Sequence, residues 1–131
     1  MPGRRRREAG SYRPRRRRGM RLILQPTLLL LLAEGDSHGY ELMDQIGPIG
    51  FDTEYLDSSI LYRDLRDMEE IGLIQSTWDD DSKGPKRRVY QIQKEGLDKL
   101  EQWMDSLNHV KEQIEMLHKR YQKLSKDEVN K

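Results

Sequence analysis

Residues 56–92 constrain this chain most tightly, because they join a helical repeat to a hairpin and leave basic groups at the junction. Leu61, Leu65 and Met68 recur at i, i+4 and i+7, which makes one apolar stripe of an α-helix. Ser58 or Ser59 is the expected N-cap, and Gly72 is the expected left-handed stop. Arg63 and Arg66 lie three apart, on a face away from the stripe. Two stretches follow, Leu73 to Trp78 and Arg87 to Ile92, rich in β-branched and aromatic residues. Asp79 to Pro85 supply turn chemistry between them. The turn and the returning strand carry Lys83, Lys86, Arg87 and Arg88. A helix with exposed arginines followed by a basic-tipped hairpin is the plan of a winged helix. Such a helix lies in the DNA major groove, and the wing touches the backbone beside it.

Three segments carry a resemblance to a known family. They are His38-Gly-Tyr-Glu-Leu42, Leu61-Tyr-Arg-Asp-Leu-Arg-Asp-Met-Glu-Glu-Ile-Gly-Leu-Ile74, and Gly84-Pro-Lys-Arg-Arg-Val-Tyr-Gln-Ile92 with Gly96 after it. In order and spacing they resemble the PadR family of bacterial transcriptional regulators, over roughly residues 22–107. The resemblance implies that Tyr40 and Tyr62 sit near DNA phosphates, and that the C-terminal helix forms a homodimer. The start of the recognition helix departs from the family: Asp57-Ser58-Ser59 stands where a Ser-Pro-Gly-like sequence is common.

Upstream, Leu22 to Ala33 is apolar on nearly all sides, which reads as a buried helix. Basic residues before it imitate a signal peptide, but Gln25 and Pro26 interrupt the run and Leu32-Ala33-Glu34-Gly35 is no cleavage site. The run is also too short to span a bilayer. Pro26 suits the first helical position, where its missing N–H costs nothing, and Gly35 suits the stop. A second helix is expected after Ser37, to about Ile46, with Leu42, Met43 and Ile46 inward and Gly39 allowing close packing. Gly47 to Gly50 would end it.

The net charge of +1 conceals a polarised chain. Residues 1–21 hold ten arginines and one acid, a net of +9, which leaves −8 for the rest. Arg4, Arg5, Arg6 and Arg7, then Arg15, Arg16, Arg17 and Arg18, stand among glycines and a proline, so the segment is expected to be disordered alone. It suits a DNA arm that neutralises phosphates and favours narrow minor grooves. The same composition suits a plain solubilising tail. The DNA-directed domain behind it favours the arm.

In the recognition helix, Ser58, Ser59 and Ile60 are the first-turn candidates for DNA contact, with free N–H groups that suit a phosphate. Arg63 or Arg66 has the reach for guanine edges. Arg66 would equally suit an ion pair with Glu69 or Glu70. Asp64 and Asp67 dilute the positive face. Tyr40 has a packing alternative, with a wet hydroxyl.

From Lys94 to about Ser125 the only glycine is Gly96 and proline is absent. Leu97, Leu100, Met104, Leu107, Val110, Ile114, Leu117, Tyr121 and Leu124 follow 3-4-3-3-4-3-4-3 spacing, a heptad seam with one irregularity. A helix-on-helix dimer accounts for it; a helix folded back on its own domain near Asn108 is the alternative. Trp103 lies beside the seam. In some relatives an aromatic there helps bind flat hydrophobic molecules, so the resemblance extends to a small hydrophobic effector.

With no cysteine, disulfides, thiolate metal sites and cysteine nucleophiles are excluded. His38 has no partner at ligand spacing, since His109 and His118 are far along the chain, and Asp79-Asp80-Asp81 lacks the spacers of a calcium loop. The expectation is therefore a non-enzyme without cofactor or metal. The fold is mainly α with a small β-hairpin wing: an arm over 1–21, a winged helix-turn-helix over 22–93, a dimerisation helix over 94–125 and a frayed tail over 126–131. Its function is that of a dimeric, cytoplasmic, sequence-specific DNA-binding regulator, most simply a repressor. The partners are double-stranded DNA, a second copy of the chain and a small hydrophobic effector, with no membrane. The competing function is a winged-helix adaptor that binds proteins.

Overall fold

The computed structural model of the chain describes residues 12–50, 57–79 and 87–128, with side chains over 23–50, 57–79 and 87–124. In chain order the elements are α1 (Tyr12–Glu34), β1 (Ser37–His38), α2 (Gly39–Ile49), α3 (Ser58–Glu70), β2 (Ile74–Asp79), β3 (Arg87–Ile92) and α4 (Lys94–Glu128). The chain divides into two compact units, Met1–Leu100 and Glu101–Lys131. The first holds the core. Leu24, Leu28, Leu29 and Leu32 of α1 meet Leu42 and Ile46 of α2, the stripe Leu61, Leu65 and Met68 of α3, and Ile74 of β2, all fully buried. The second unit consists of the rest of α4 and the chain end.

The sheet has three antiparallel strands in the order β1-β3-β2, where two were expected. The extra strand is two residues long, pairing Ser37 with Tyr90 and His38 with Val89. Two residues carry no period, so no alternation marks them in the sequence. Ser37, after which α2 was expected to begin, is buried in this strand. The cap is His38, whose N–H donates to Glu41 Oε1 at 2.8 Å. Helix α2 also runs past Ile46, through Pro48 to Ile49, and stops at Gly50, left-handed at φ 116°.

Helix α1 departs furthest from expectation. It starts at Tyr12, so residues 12–21, expected to be disordered, are helical, and Pro26 is an interior residue rather than the first. Arginine is a good helix former, and extending a helix from a buried nucleus is far easier than starting one. Beside Pro26, buried Thr27 gives its hydroxyl to the Ile23 carbonyl at 2.7 Å. The helix is not buried on all sides either: Ile23 and Leu30, seven apart, are exposed.

Helix α3 is capped by Asp57, not by Ser58 or Ser59. The Asp57 carboxylate accepts from the Ile60 N–H at 3.1 Å and from the Ser59 hydroxyl. At the other end Gly72 is left-handed at φ 83°, its N–H donating to Glu69 and that of Leu73 to Met68, a Schellman closure. Leu73 then enters the core. A Cβ on Gly96 would overlap the Leu73 carbonyl oxygen and crowd Ile92, so only glycine lets the first turn of α4 lie this close to the sheet. Leu100, counted with the seam, is buried in the core of the first unit, because these early turns of α4 face inward. The helix continues to Glu128, into the expected tail.

Candidate nucleic-acid interface

A cleft of about 460 Å³ opens between the start of α2, the outer face of α3 and strand β3. Its walls include Tyr40, Tyr62, Arg66, Arg87 and Arg88, drawn from three separate stretches of sequence. Its floor is set by Gly39. A Cβ there would overlap the Tyr62 ring, so the absent side chain is what lets α3 lay that ring across the first turn of α2. Tyr40 is exposed, contrary to a packing role, and the Arg87 guanidinium sits over its ring at 4.7 Å.

Arg88 is held as firmly. Its guanidinium lies 4.9 Å over Trp78, its pairing partner across the hairpin, and Nη1 donates to Ser76 Oγ at 2.8 Å. The Ser76 hydroxyl in turn donates to Glu69 Oε2 at 2.8 Å, so a helix carboxylate anchors the wing arginine through one serine. Both arginines are exposed but pre-ordered, which lowers the entropy lost when either takes an anion.

His38 stands at the cleft edge between two carboxylates. Nδ1 lies 2.6 Å from Glu41 Oε1 and Nε2 3.0 Å from Asp79 Oδ2. The hydrogen bond to Glu41 leads in raising its pKa above the ordinary 6.5. Glu41 is pushed down from 4.5, first by the His38 N–H and then by the ring. Burial raises the Tyr90 phenol above 10.0, with Glu69 adding to the effect.

Several sequence-chosen residues gather here and others do not. Tyr40, Tyr62, Arg66, Arg87 and Arg88 share the cleft; Arg63 is exposed on α3 outside its lining. Ser58 and Ser59 are exposed and Ile60 half-buried in the first turn of α3. The Asp57 carboxylate already takes the Ile60 N–H, so that helix end puts a negative charge where a phosphate site was expected. Asp64 is buried, so of the two acids expected to dilute the face only Asp67 is exposed. Lys83, Lys86 and Arg4 to Arg7 lie outside the described residues, as do the side chains of Arg15 to Arg18. In α4, Met104, Ile114, Leu117 and Tyr121 are exposed, and Trp103 and Leu107 half-buried.

Sequence reasoning missed the His38 bridge and the place of Trp78. Trp78, 54% exposed, signals a strand by its residue type, but only the register sets it against Arg88.

Known structures share this fold. A conserved protein of unknown function, described as a potential transcriptional factor, is 34% identical, with a TM-score of 0.69 over 79% of this chain and 91% of its own. A PadR-like transcriptional regulator from Bacillus cereus is 28% identical, with a TM-score of 0.66 over 75% of this chain and 93% of its own. Bacillus subtilis PadR, solved in complex with operator DNA, shares the fold at 20% identity and a TM-score of 0.55, over 63% of this chain and 47% of its own. No curated protein matches the chain. The family profile spans residues 28–102, from the buried half of α1 to the first turns of α4, and on that match the chain belongs to the PadR-like family of transcriptional regulators.

Proposed function

We propose that this regulator is a cytoplasmic homodimer that binds operator DNA in sequence-specific fashion and represses transcription. The observation that carries the reading is the cleft, where two exposed tyrosines and three arginines converge from α2, α3 and the wing. Tyrosine hydroxyls and arginines are the usual phosphate ligands, and an exposed helix face beside them suits the major groove. Arg63 and Arg66, both exposed on α3, are the candidate base readers. Dimerisation is supported by the seam of α4, where Leu117 is 68% exposed with Ile114, Tyr121 and Leu124 exposed around it. A row of this kind is a large apolar patch for a single chain. The complex of Bacillus subtilis PadR with operator DNA supports DNA as the partner.

The direct test is electrophoretic retardation of duplex DNA from upstream of the protein's own gene. Binding should resist a random competitor and weaken steeply with salt, because phosphate contacts release counterions. A footprint should show two half-sites roughly 10–10.5 base pairs apart, or a multiple of that. Retention of a protein partner with no retardation of any duplex would replace this reading with the adaptor.

A further inference from the structure

His38 ties the wing to the helix-turn-helix through two carboxylates at once. Glu41, 2.6 Å from Nδ1, belongs to α2. Asp79, 3.0 Å from Nε2, is the last residue of β2 and lies 41 positions along the chain. Carboxylates only accept, so both contacts are hydrogen bonds only when both ring nitrogens carry hydrogen, and neutral imidazole has one N–H. The ring also stacks on Tyr40 at 5.3 Å, and the Arg87 guanidinium lies over the Tyr40 ring at 4.7 Å. The group that joins α2 to β2 therefore also sets the wall that presents Tyr40 and Arg87 to the cleft.

We propose that His38, as an imidazolium, is a positioning residue for DNA binding: it latches the base of the wing to the first turn of α2, so that affinity for DNA depends on its proton. The proposal rests on the DNA-binding reading above. Around the ring stand Tyr40 and Glu41 of α2 and Asp79 of β2. Across the cleft stand Arg87, Arg88 and Tyr90 of β3, with Tyr62 and Arg66 of α3. The carboxylates favour the charged ring, and partial burial opposes it. The carboxylates prevail, with the bond to Glu41 the largest effect. Loss of the proton leaves one ring nitrogen with a lone pair against a carboxylate oxygen, and the latch opens on that side. DNA phosphates brought to the cleft add negative charge and hold the proton more tightly. Affinity is thus full below the ordinary 6.5 and falls as pH rises through the raised value.

The test uses the full chain. Imidazole NMR signals are followed from about pH 5 to about pH 9, a range that brackets histidine titration. The His38 midpoint should exceed 6.5 and should fall in Asp79→Asn, which leaves the Glu41 contact in place. Over the same range, wild-type affinity for the upstream duplex should drop roughly three- to tenfold across that midpoint, the scale of one hydrogen bond. His38→Gln should bind weakly and without that step. His38→Arg keeps a charge and several donors, so it should bind near the wild-type low-pH level throughout. A wild-type midpoint at or below 6.5, or a wild-type profile that follows His38→Gln, would overturn the proposal. If no duplex binds at any pH, the DNA-binding reading fails. The latch then stands or falls on whether Asp79→Asn moves the midpoint.

Discussion

Gly39 and Gly96 are both closed to a side chain, but by neighbours that yield differently. At Gly96 the obstacle is the Leu73 backbone oxygen, which the sheet holds in place. Gly96→Ala should therefore destabilise the fold by about 1–3 kcal/mol, as overpacking does, in urea unfolding. At Gly39 the obstacle is the Tyr62 ring, which is exposed enough to swing away. Gly39→Ala should be milder, and in a Tyr62→Ala background it should add no further destabilisation. His38 makes a second residue-scale prediction. Its folded pKa is raised, so its stabilisation is complete below 6.5 and disappears as pH rises through the folded value. Glu41 is opposite in sign: its folded pKa is lowered, so its contribution is present above 4.5 and lost as pH falls through the folded value. His38→Gln should accordingly lower the melting temperature clearly at mildly acid pH and little at alkaline pH. An equal loss at both would contradict the latch.

Among the elements, α3 shows most plainly how a local choice shapes a site. Its buried stripe was legible because three apolar residues at helical spacing have one solution, a face against the core. Its cap was not, since Asp57, Ser58 and Ser59 are all good cap residues and sequence alone does not rank them. The structure assigns the role to Asp57. Asp57→Ala should cost about 0.5–2 kcal/mol by thermal unfolding, while Ser58→Ala should cost close to nothing. The reverse ranking would place the helix start one residue later. The wing follows the same logic. Its strands were readable from residue type, but the three-stranded order and the Glu69–Ser76–Arg88 relay depend on register, which no single strand encodes.

Sedimentation at micromolar concentration should report about twice the 15.6 kDa chain mass, and Leu117→Asp should shift it toward one chain by burying a charge in the seam. A wild-type monomer would remove the dimer. Deleting residues 1–18 removes nine arginines. Affinity for operator and random DNA should then fall together, with the slope of log K against log salt shrinking by roughly 0.9 for each phosphate that the arm neutralises. Arg66→Ala should instead cost about 1–3 kcal/mol on the operator and little on random duplex, if it contacts a guanine. Arm deletion that abolishes specificity while Arg63→Ala and Arg66→Ala both preserve it would put sequence readout in the arm.

Local patterns in the sequence were enough for the stripe of α3, the unbroken helical run of α4, the left-handed stop at Gly72 and the strand character on either side of the turn. Each is written within one element and needs no partner from elsewhere in the chain to be read. Three things were decided only by the tertiary structure. Helix α1 extends back through arginines because a buried segment nucleates it, which outweighs their charge. Strand β1 exists because β3 offers two residues a partner. His38 becomes a proton-dependent bridge because folding brings Asp79 to within 3.0 Å of a ring whose other nitrogen Glu41 already holds. A hydrogen bond between residues 41 apart has no signature in either neighbourhood, since neither element needs it to form.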